Sequence, residues 1–495
     1  MAMQSKMPTE EEVRTVLRKV IDPEVGLNIV DLGLIYGVEI SDNKLHVDLT
    51  MTTEACPMGE MILADARRTL ETSLPADAEI ELDLVWEPPW NPSMMSEDAR
   101  AHFGWDSASG TPQTVTPEPE VVPETAPEIA PVAEAVEQSG GLGVPFRLPL
   151  LILGFASLAA GVLAGLVRMG WGVPLPSAQL VLLHGPLMVS GFLGTVIGLE
   201  RAVALGRRWA YAGPLLTGLG GVAILLGFPV SLGASAMALG SAVLLTGTTL
   251  IMLRQRELFM VTMALGAASW LAGNLLWLAG AGVPAVVALW INFLVLTIAG
   301  ERLELSRFLP PSPGAKRIFK AILAVLVAGG FLGVTGSGMV IYGIGLLGLA
   351  LWLLRQDIAR RTVKEQGLTR FTAVCLLSGY AWLTIGSLVL LVAGMTGTAY
   401  DAVLHAILIG FVFSMVFGHA PIIFPAVVRV RMPYHWTFYL PLLALHASLL
   451  MRLAGSGLML PGLHSLGGLL NAAALVLFIL STVSSVVRGF RGGKE

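Results

Sequence analysis

Residues 178–201 read AQLVLLHGPLMVSGFLGTVIGLER, an apolar run that contains one histidine and ends in a Glu-Arg pair. A stretch of about 20 apolar residues is long enough to cross a ~30 Å hydrocarbon core as a helix. Because an ionisable side chain is costly in hydrocarbon, the imidazole of His184 is expected to face a cavity, a cofactor or another helix. This segment therefore predicts a membrane helix with a polar site inside it.

Comparable apolar segments recur from about residue 148 towards the C-terminus. The chain of 495 residues is 54% hydrophobic and only 13% charged, and its mean hydropathy is +0.73. This composition excludes an ordinary water-soluble protein. We predict a polytopic all-α membrane bundle of about twelve transmembrane helices, preceded by a small soluble α+β domain. The spans are expected at about 148–167, 178–199, 209–230, 233–253, 258–280, 283–300, 318–335, 338–355, 371–394, 400–424, 436–453 and 467–487.

Charge is distributed unevenly along the chain. Residues 1–106 carry a net charge of −13, residues 107–144 add six glutamates and no cation, and the remainder carries +15. Of the Lys and Arg residues around the predicted spans, 21 fall on one side, and Arg168 and Arg452 fall on the other. Positive residues accumulate on the cytoplasmic side of a membrane. We therefore predict a multi-pass protein of a bacterial-type inner membrane with both termini in the cytoplasm, and no nucleic-acid partner.

These patterns predict four segments. Residues 1–106 are expected to form the cytosolic α+β domain, and the Pro-, Glu- and Ala-rich residues 107–144 a disordered linker. Residues 145–490 are expected to form the bundle, and residues 491–495 a cytosolic tail. The start of the chain lacks the apolar core of a secretory signal, which agrees with a cytoplasmic first domain.

Histidines on three predicted spans share the outer leaflet: His184, His405 and His446. His419 follows His405 by fourteen residues, which returns to nearly the same helix face about 21 Å further along the axis. Two axial imidazoles from different helices are what a six-coordinate haem requires, and imidazole also suits copper, iron or zinc. We predict His184 and His405 as axial haem ligands, with His446 and His419 as further metal ligands; touching antiparallel spans would bring His405 to His446. The alternative is that each histidine only hydrogen-bonds to a neighbouring helix.

A twelve-span bundle with cytoplasmic termini and histidines on spans 2 and 10 resembles subunit I of the haem-copper oxidases, whose low-spin haem is held from those two helices. It also resembles the NnrS-type membrane proteins, described as binding haem and copper and linked to nitric oxide stress. Predicted spans 6 and 7 contain no histidine, so the ligand set of a complete oxidase is not available. The resemblance implies haem, copper or iron as a cofactor, but neither a complete oxidase nor a nitric oxide reductase.

The first hundred residues alternate between helix and strand patterns. EEEVRTVLRKVI and GEMILADARRTLETSL are amphipathic helices, whereas LIYGVEI, KLHVDLTM and AEIELDLVW alternate as strands. Cys56 comes just before the second helix, where aligned backbone N–H groups favour a thiolate. The pattern predicts a compact α+β domain with a candidate reactive thiol.

Three stretches of this domain resemble the SufT/PaaD-like family of iron-sulfur cluster assembly domains. They are DPEVGLNIVDLGLIYGVEI at 22–40, the Met-Thr and Cys-Pro pairs of MTTEACPMGE at 51–60, and PPWNPSMMSEDARAHFGW at 88–105. The likeness extends over nearly the whole domain and implies a role in metallocluster maturation.

The resemblance implies Cys56 as a relay thiol, with Asp22, Glu24 and Thr52 as supporting residues. It also implies a transient iron-sulfur cluster or iron at this domain, and assembly factors or apo-metalloprotein clients as partners. One cysteine does not hold a cluster, whose irons usually have four protein ligands. A transient relay, a homodimer and a docking role stay open.

Together these features predict an integral inner-membrane protein that binds haem or metal and carries a tethered assembly domain. It would serve metallocentre maturation or the response to nitrosative or redox stress, with the lipid bilayer as a partner and a homo-oligomer left open. The alternative is a transporter of a metal, a sulfur species or a small anion, regulated by the cytosolic domain or delivering to it. A third possibility is that the soluble domain only recruits assembly factors to the membrane.

Overall fold

The computed structural model describes residues 7–41, 43–53, 56, 58–75, 77–105, 141–175, 177–309, 312, 314–333 and 336–492. The chain divides into two compact units, the first N-terminal and the second made of most of the chain from Gly141 onward. Most of the linker predicted to be disordered at 107–144 lies outside the described residues, as do residues 493–495 of the predicted tail.

In its described residues, the first unit combines a three-stranded sheet with three α-helices. The sheet order is β1-β2-β3, with β1 antiparallel to β2 and β2 parallel to β3. Alternation along β2 buries Leu45, Val47 and Leu49 completely, as expected for a strand with one face on the core. This confirms the predicted small α+β domain. Its elements are α1 (Glu10–Leu17), β1 (Ile35–Ser41), β2 (Lys44–Leu49), α2 (Gly59–Ser73), β3 (Glu79–Leu84) and α3 (Glu97–His102).

Aromatic rings close the core of the first unit. Trp90 donates its indole N–H to the carbonyl oxygen of Leu32 at 2.9 Å, and Phe103 is fully buried. Phe308 belongs to this unit by its contacts, and its ring lies 5.3 Å from that of Trp90 and 5.4 Å from that of Phe103. The indole N–H of Trp105 donates to the carbonyl of Phe308 at 2.9 Å. Four aromatic residues from distant parts of the sequence thus share one cluster.

The second unit is a bundle of helices. Within the part of the chain that the structure describes, ten of them are long and apolar enough to cross a membrane, which is consistent with a multi-pass membrane protein. We number the spans as in the twelve-span prediction. The ten are Val144–Arg168 (span 1), Ala178–Leu205 (span 2), Val230–Arg254 (span 4), Leu258–Leu278 (span 5), Val283–Leu305 (span 6), Gly336–Gln356 (span 8), Gly367–Ala393 (span 9), Gly397–Val428 (span 10), Trp436–Gly457 (span 11) and Pro461–Arg491 (span 12).

The other two predicted spans are helical but weaker. Span 3 is the helix Ala212–Leu225, which has only 14 residues and follows a tight 3-10 turn. Span 7 is the helix Ala315–Leu332, whose 18 residues include Lys316, Arg317 and Lys320. A 14-residue helix is about 21 Å long, shorter than the hydrocarbon core, and three cations are costly within a span. The number of twelve membrane crossings therefore stays a prediction.

Spans 2 and 10 depart from α-helical geometry in matching places. Each contains a π-helical segment that begins shortly after a histidine, Leu187–Leu193 in span 2 and Ala406–Phe413 in span 10. π-Helical turns are rare and frequently occur at functional sites. The rings of Phe192 and Phe413, one from each segment, lie 6.2 Å apart and nearly parallel. The two spans therefore meet along their irregular segments.

A buried amide joins spans 2, 5 and 6. The side-chain oxygen of Asn274 accepts hydrogen bonds from the Ser190 hydroxyl and the Trp290 indole, each at 3.0 Å. Trp270 also donates to the Ser190 oxygen at 3.0 Å. All four side chains are fully buried. Asn292 is equally buried, but neither atom of its amide has a hydrogen-bond partner in the described part of the chain.

Replacing Asn274 by leucine is expected to destabilise the bundle, because the Ser190 hydroxyl and the Trp290 indole would lose their acceptor. An unsatisfied buried polar group costs about 1–3 kcal/mol. The measurement is the thermal unfolding midpoint of the full-length protein in detergent. Asn292→Leu is the matched control, since it removes a buried amide that makes no hydrogen bond, and its midpoint should stay unchanged or rise. Equal losses in the two variants would contradict this assignment.

Candidate metal centre

Two of the predicted histidines meet between spans 2 and 10. The ring centroids of His184 and His405 are 6.3 Å apart, and the ring planes differ by 20°. A metal held between two imidazole nitrogens, at about 2.0 Å from each, would place the ring centroids roughly 6 Å apart. The separation therefore suits one metal between the two rings.

Backbone carbonyls orient both imidazoles. Nδ1 of His184 lies 2.6 Å from the carbonyl oxygen of Gly161, and Nδ1 of His405 lies 2.8 Å from that of Asp401. Since a carbonyl only accepts, each ring carries its proton on Nδ1 and keeps its lone pair on Nε2. Histidines that bind metals usually have their second nitrogen held in this way. No residue in the described ranges hydrogen-bonds to either Nε2 atom.

His405 has a charged partner in addition. Its Nδ1 is 3.1 Å from Oδ1 of Asp401, and Arg452 donates to both oxygens of that carboxylate, at 2.7 and 2.9 Å. Nε2 of His464 lies 3.8 Å from the second oxygen. A carboxylate partner fixes the orientation of a histidine ligand and raises its basicity. The geometry thus gives His405 a charged partner, whereas Nδ1 of His184 faces a neutral carbonyl.

Sequence reasoning missed both members of this ion pair. A signal for Asp401 exists, because it precedes His405 by four residues and so lies on the same helix face. Arg452 has no local signal, since it comes from span 11 and the sequence marks it only as one of two cations on the outer side.

A cavity of about 80 Å³ lies beside the two imidazoles. Its polar lining residues are His184, His405, Arg452 and Asn471, and apolar side chains such as Phe413 form the remaining walls. A water molecule needs roughly 10–15 Å³ of such space, and a cavity of about 150 Å³ accepts benzene. The space suits a metal ion with small ligands, whereas a porphyrin would require the lining side chains to move.

The structure places His446 away from this cavity. Its Nδ1 accepts a hydrogen bond from the Trp382 indole at 3.0 Å, and its Nε2 lies 3.0 Å from the Ser378 hydroxyl. Both ring nitrogens thus have partners on span 9, which is the hydrogen-bonding alternative to a metal ligand. The expected meeting of His405 with His446 does not occur, because the His405 ring faces span 2.

His419 does not line the cavity either. Its Nδ1 lies 2.9 Å from the carbonyl oxygen of Met415, one turn earlier on span 10. Its Nε2 therefore keeps a lone pair, as in His184 and His405. The described residues bring no second imidazole to it, so His419 lacks the paired arrangement of the centre between spans 2 and 10.

The predicted thiol lies at the start of α2 in the first unit. Cys56 is half-buried, and its carbonyl accepts a hydrogen bond from the N–H of Gly59, the first residue of α2, at 3.3 Å. Met58 at the N-cap supplies no side-chain acceptor, so the first N–H groups of α2 are not satisfied by a capping side chain. Such N–H groups stabilise an anion, and a thiolate is one.

The supporting residues of the first unit lie in two loops. Asp22 and Glu24 are in the loop between α1 and β1, where Oδ1 of Asp22 accepts a hydrogen bond from the Glu24 N–H at 2.8 Å. Burial raises the pKa of the Asp22 carboxyl above its ordinary value. Thr52 precedes Cys56 in the loop between β2 and α2, and its carbonyl accepts from Arg307. Asp22 is thus a buried carboxylate that holds its own turn.

The sheet carries a further group of possible ligands that the sequence did not reveal. Nε2 of His46 lies 3.2 Å from an oxygen of Asp48 and 3.3 Å from one of Asp83. The ligand atoms of these three residues are within 4.8 Å of one another. The parallel pairing of β2 with β3 sets Asp48 beside Asp83, and the sequence does not show which strands pair. Lys44 binds the neighbouring Glu81 at 2.7 Å, so this surface is already partly neutralised.

Two regions of the chain match known family models. Residues 10–82 match the family described as iron-sulfur cluster assembly protein. Residues 147–487 match the family described as a domain of unknown function, DUF8744. The predicted likeness of the bundle to NnrS-type proteins and haem-copper oxidases is not confirmed by these matches.

Similar proteins correspond to the first region. An "Fe-S protein maturation auxiliary factor" of Porphyromonas gingivalis is 40% identical over 100 residues, which are 20% of this chain and 94% of the relative. The "Fe-S protein maturation auxiliary factor SufT" of Staphylococcus aureus is 43% identical over 86 residues, 17% of this chain and 97% of the relative. The crystal structure of a domain of unknown function, DUF59, from Bacillus anthracis is 40% identical, and the match covers 20% of this chain and 92% of that one with a TM-score of 0.19.

The relatives are matched over nearly their whole length, and the second family model spans more than half of this chain. The chain therefore belongs to the iron-sulfur cluster assembly protein family through its N-terminal domain and to the DUF8744 family through its helical bundle.

Proposed function

We propose that this protein is a membrane-integral factor for metallocluster maturation, in which an assembly domain is tethered to a bundle that binds a metal through His184 and His405. The observation that carries the bundle part is the pair of imidazoles 6.3 Å apart with their Nδ1 atoms held by carbonyls. The family of the first domain supports the maturation role. The distribution of Lys and Arg supports an inner-membrane location with cytoplasmic termini.

In this proposal Cys56 passes iron or a cluster to a client. The chain has two cysteines, and Cys375 is fully buried in the bundle. Because the irons of a cluster usually have four protein ligands, a cluster at Cys56 is cargo shared with an assembly factor or an apo-metalloprotein. The start of α2 favours the thiolate, and the buried carboxyl of Asp22, with its raised pKa, is suited to hold a proton. The relatives named as maturation auxiliary factors support this assignment.

The bundle centre is proposed to hold iron or copper. Imidazole nitrogen suits both metals, and two axial imidazoles are also what a haem uses. The cavity of about 80 Å³ favours a metal ion with small ligands. A redox-active metal bound there would exchange single electrons, which is the chemistry that a response to nitrosative or redox stress requires.

Transport of a metal, a sulfur species or a small anion is the second candidate. The π-helical segments of spans 2 and 10 favour it, because transporters commonly bind their substrate at interrupted helices. Metal uptake by proteoliposomes, with no metal retained by the purified protein, would favour transport over a resident centre.

The His184→Ala and His405→Ala variants are each expected to lose the metal from purified full-length protein, because either substitution leaves one imidazole of the pair. Elemental analysis measures the metal, and a Soret band in the UV-visible spectrum distinguishes haem from a metal ion. His446→Ala is the matched control, since both nitrogens of that ring are hydrogen-bonded outside the cavity. Metal-free wild-type protein, or the same loss in all three variants, would refute the bundle part.

The Cys56→Ser substitution is expected to abolish maturation of iron-sulfur enzymes. The metal content of the bundle should stay at the wild-type level. The readout is the activity of an iron-sulfur enzyme in cells that depend on this protein. Cys375→Ser is the control, because it changes a buried thiol of the bundle instead. Full enzyme activity with the Cys56→Ser variant would show that this thiol is not the relay.

A further inference from the structure

The cavity beside His184 and His405 contains a buried amide with an unused acceptor. Asn471 is 2% exposed and lines this cavity. Its Nδ2 donates to the hydroxyl oxygen of Ser448 at 2.6 Å, whereas its Oδ1 has no hydrogen-bond partner among the residues that the structure describes.

The orientation of this amide follows from its neighbour. The Ser448 hydroxyl donates to the carbonyl of Ala444 at 2.7 Å, so its proton is already in use. Its oxygen accepts a hydrogen bond from Nδ2 of Asn471, so the nitrogen of the amide faces Ser448. Oδ1 is therefore the atom left without a partner.

The occupant of the cavity must complement an unusual set of groups. Buried acceptors in proteins nearly always have a donor, from the protein or from a bound molecule. His184 and His405, whose Nε2 atoms keep lone pairs, line this cavity together with Asn471, whose Oδ1 has no partner among the described residues. Arg452 is the cation in its lining, and two of its nitrogens bind Asp401. A metal ion would bind the Nε2 atoms of the two imidazoles. If it had no further ligand, Oδ1 of Asn471 would still lack a hydrogen-bond donor.

We propose that the metal between His184 and His405 carries an exchangeable small ligand with an N–H or O–H group, and that Asn471 selects this ligand by accepting its hydrogen bond. The inference rests on the proposed function, because it requires the metal. Neutral protic molecules such as water or ammonia fit this role. An anion without a proton, such as azide, would set its charge against the lone pairs of Oδ1.

The experiment titrates ammonia and azide into purified full-length protein that retains its metal. Binding is followed by the UV-visible or electron paramagnetic resonance spectrum. If the native metal is spectroscopically silent, the same spectra are recorded on cobalt-substituted protein. We expect ammonia to shift the spectrum of the wild type. Asn471→Leu should weaken ammonia binding roughly tenfold, the effect of losing one hydrogen bond at the strong end of the usual range, and should leave azide binding and metal content unchanged. Asn292→Leu, at a buried amide outside the cavity, should behave as the wild type.

The outcomes separate this inference from the proposed function. Wild-type protein that contains metal but does not respond to ammonia would overturn the inference and leave the metal centre intact. An equal loss of ammonia and azide binding in Asn471→Leu would assign Asn471 a structural role and would also overturn it. Wild-type protein without metal would overturn both.

Discussion

Polar groups inside the bundle have no bulk water to bind, so each needs a partner within the protein. Most of the bundle obeys this constraint. Arg302 and Asp357 pair at 2.8 Å, and the Tyr380 hydroxyl donates to the same carboxylate at 2.7 Å. Asn274 is satisfied in the same way by donors from two neighbouring spans. Against this background, the two imidazoles beside one cavity, each with an unpartnered Nε2 among the described residues, support the proposed metal centre.

The sequence predicts which side chains lie within spans, but not which spans touch. Apolar length identifies the helices, and the cost of burying imidazole singles out His184 and His405. Helical periodicity also shows which residues of one span share a face. It does not show which neighbour that face meets, and span 10 contacts span 2 as well as span 11. For this reason the sequence allows His405 to meet both His184 and His446, and the structure shows that its ring meets His184.

Other parts of the site have no local signal at all. The π-helical segments after His184 and His405 consist of the same small and apolar residues as their surroundings, and one extra residue per turn arises from packing. Asn471 is one of three asparagines in the spans, with nothing in its neighbours to distinguish it from Asn274. In the first unit, the Cys56 loop and the closing segment are recognisable because a family likeness reports their surroundings, which periodicity does not.

Helix packing also determines how each histidine of the proposed centre is held. Gly161 and Gly165 of span 1 lie against span 2, and a Cβ at Gly165 would come within 3.0 Å of the His184 ring. These glycines let the ring approach the Gly161 carbonyl, which fixes its tautomer. His405 instead depends on Asp401, whose charge Arg452 offsets from span 11. One ligand therefore depends on a close contact between helices and the other on an ion pair, so the centre is asymmetric before any metal binds.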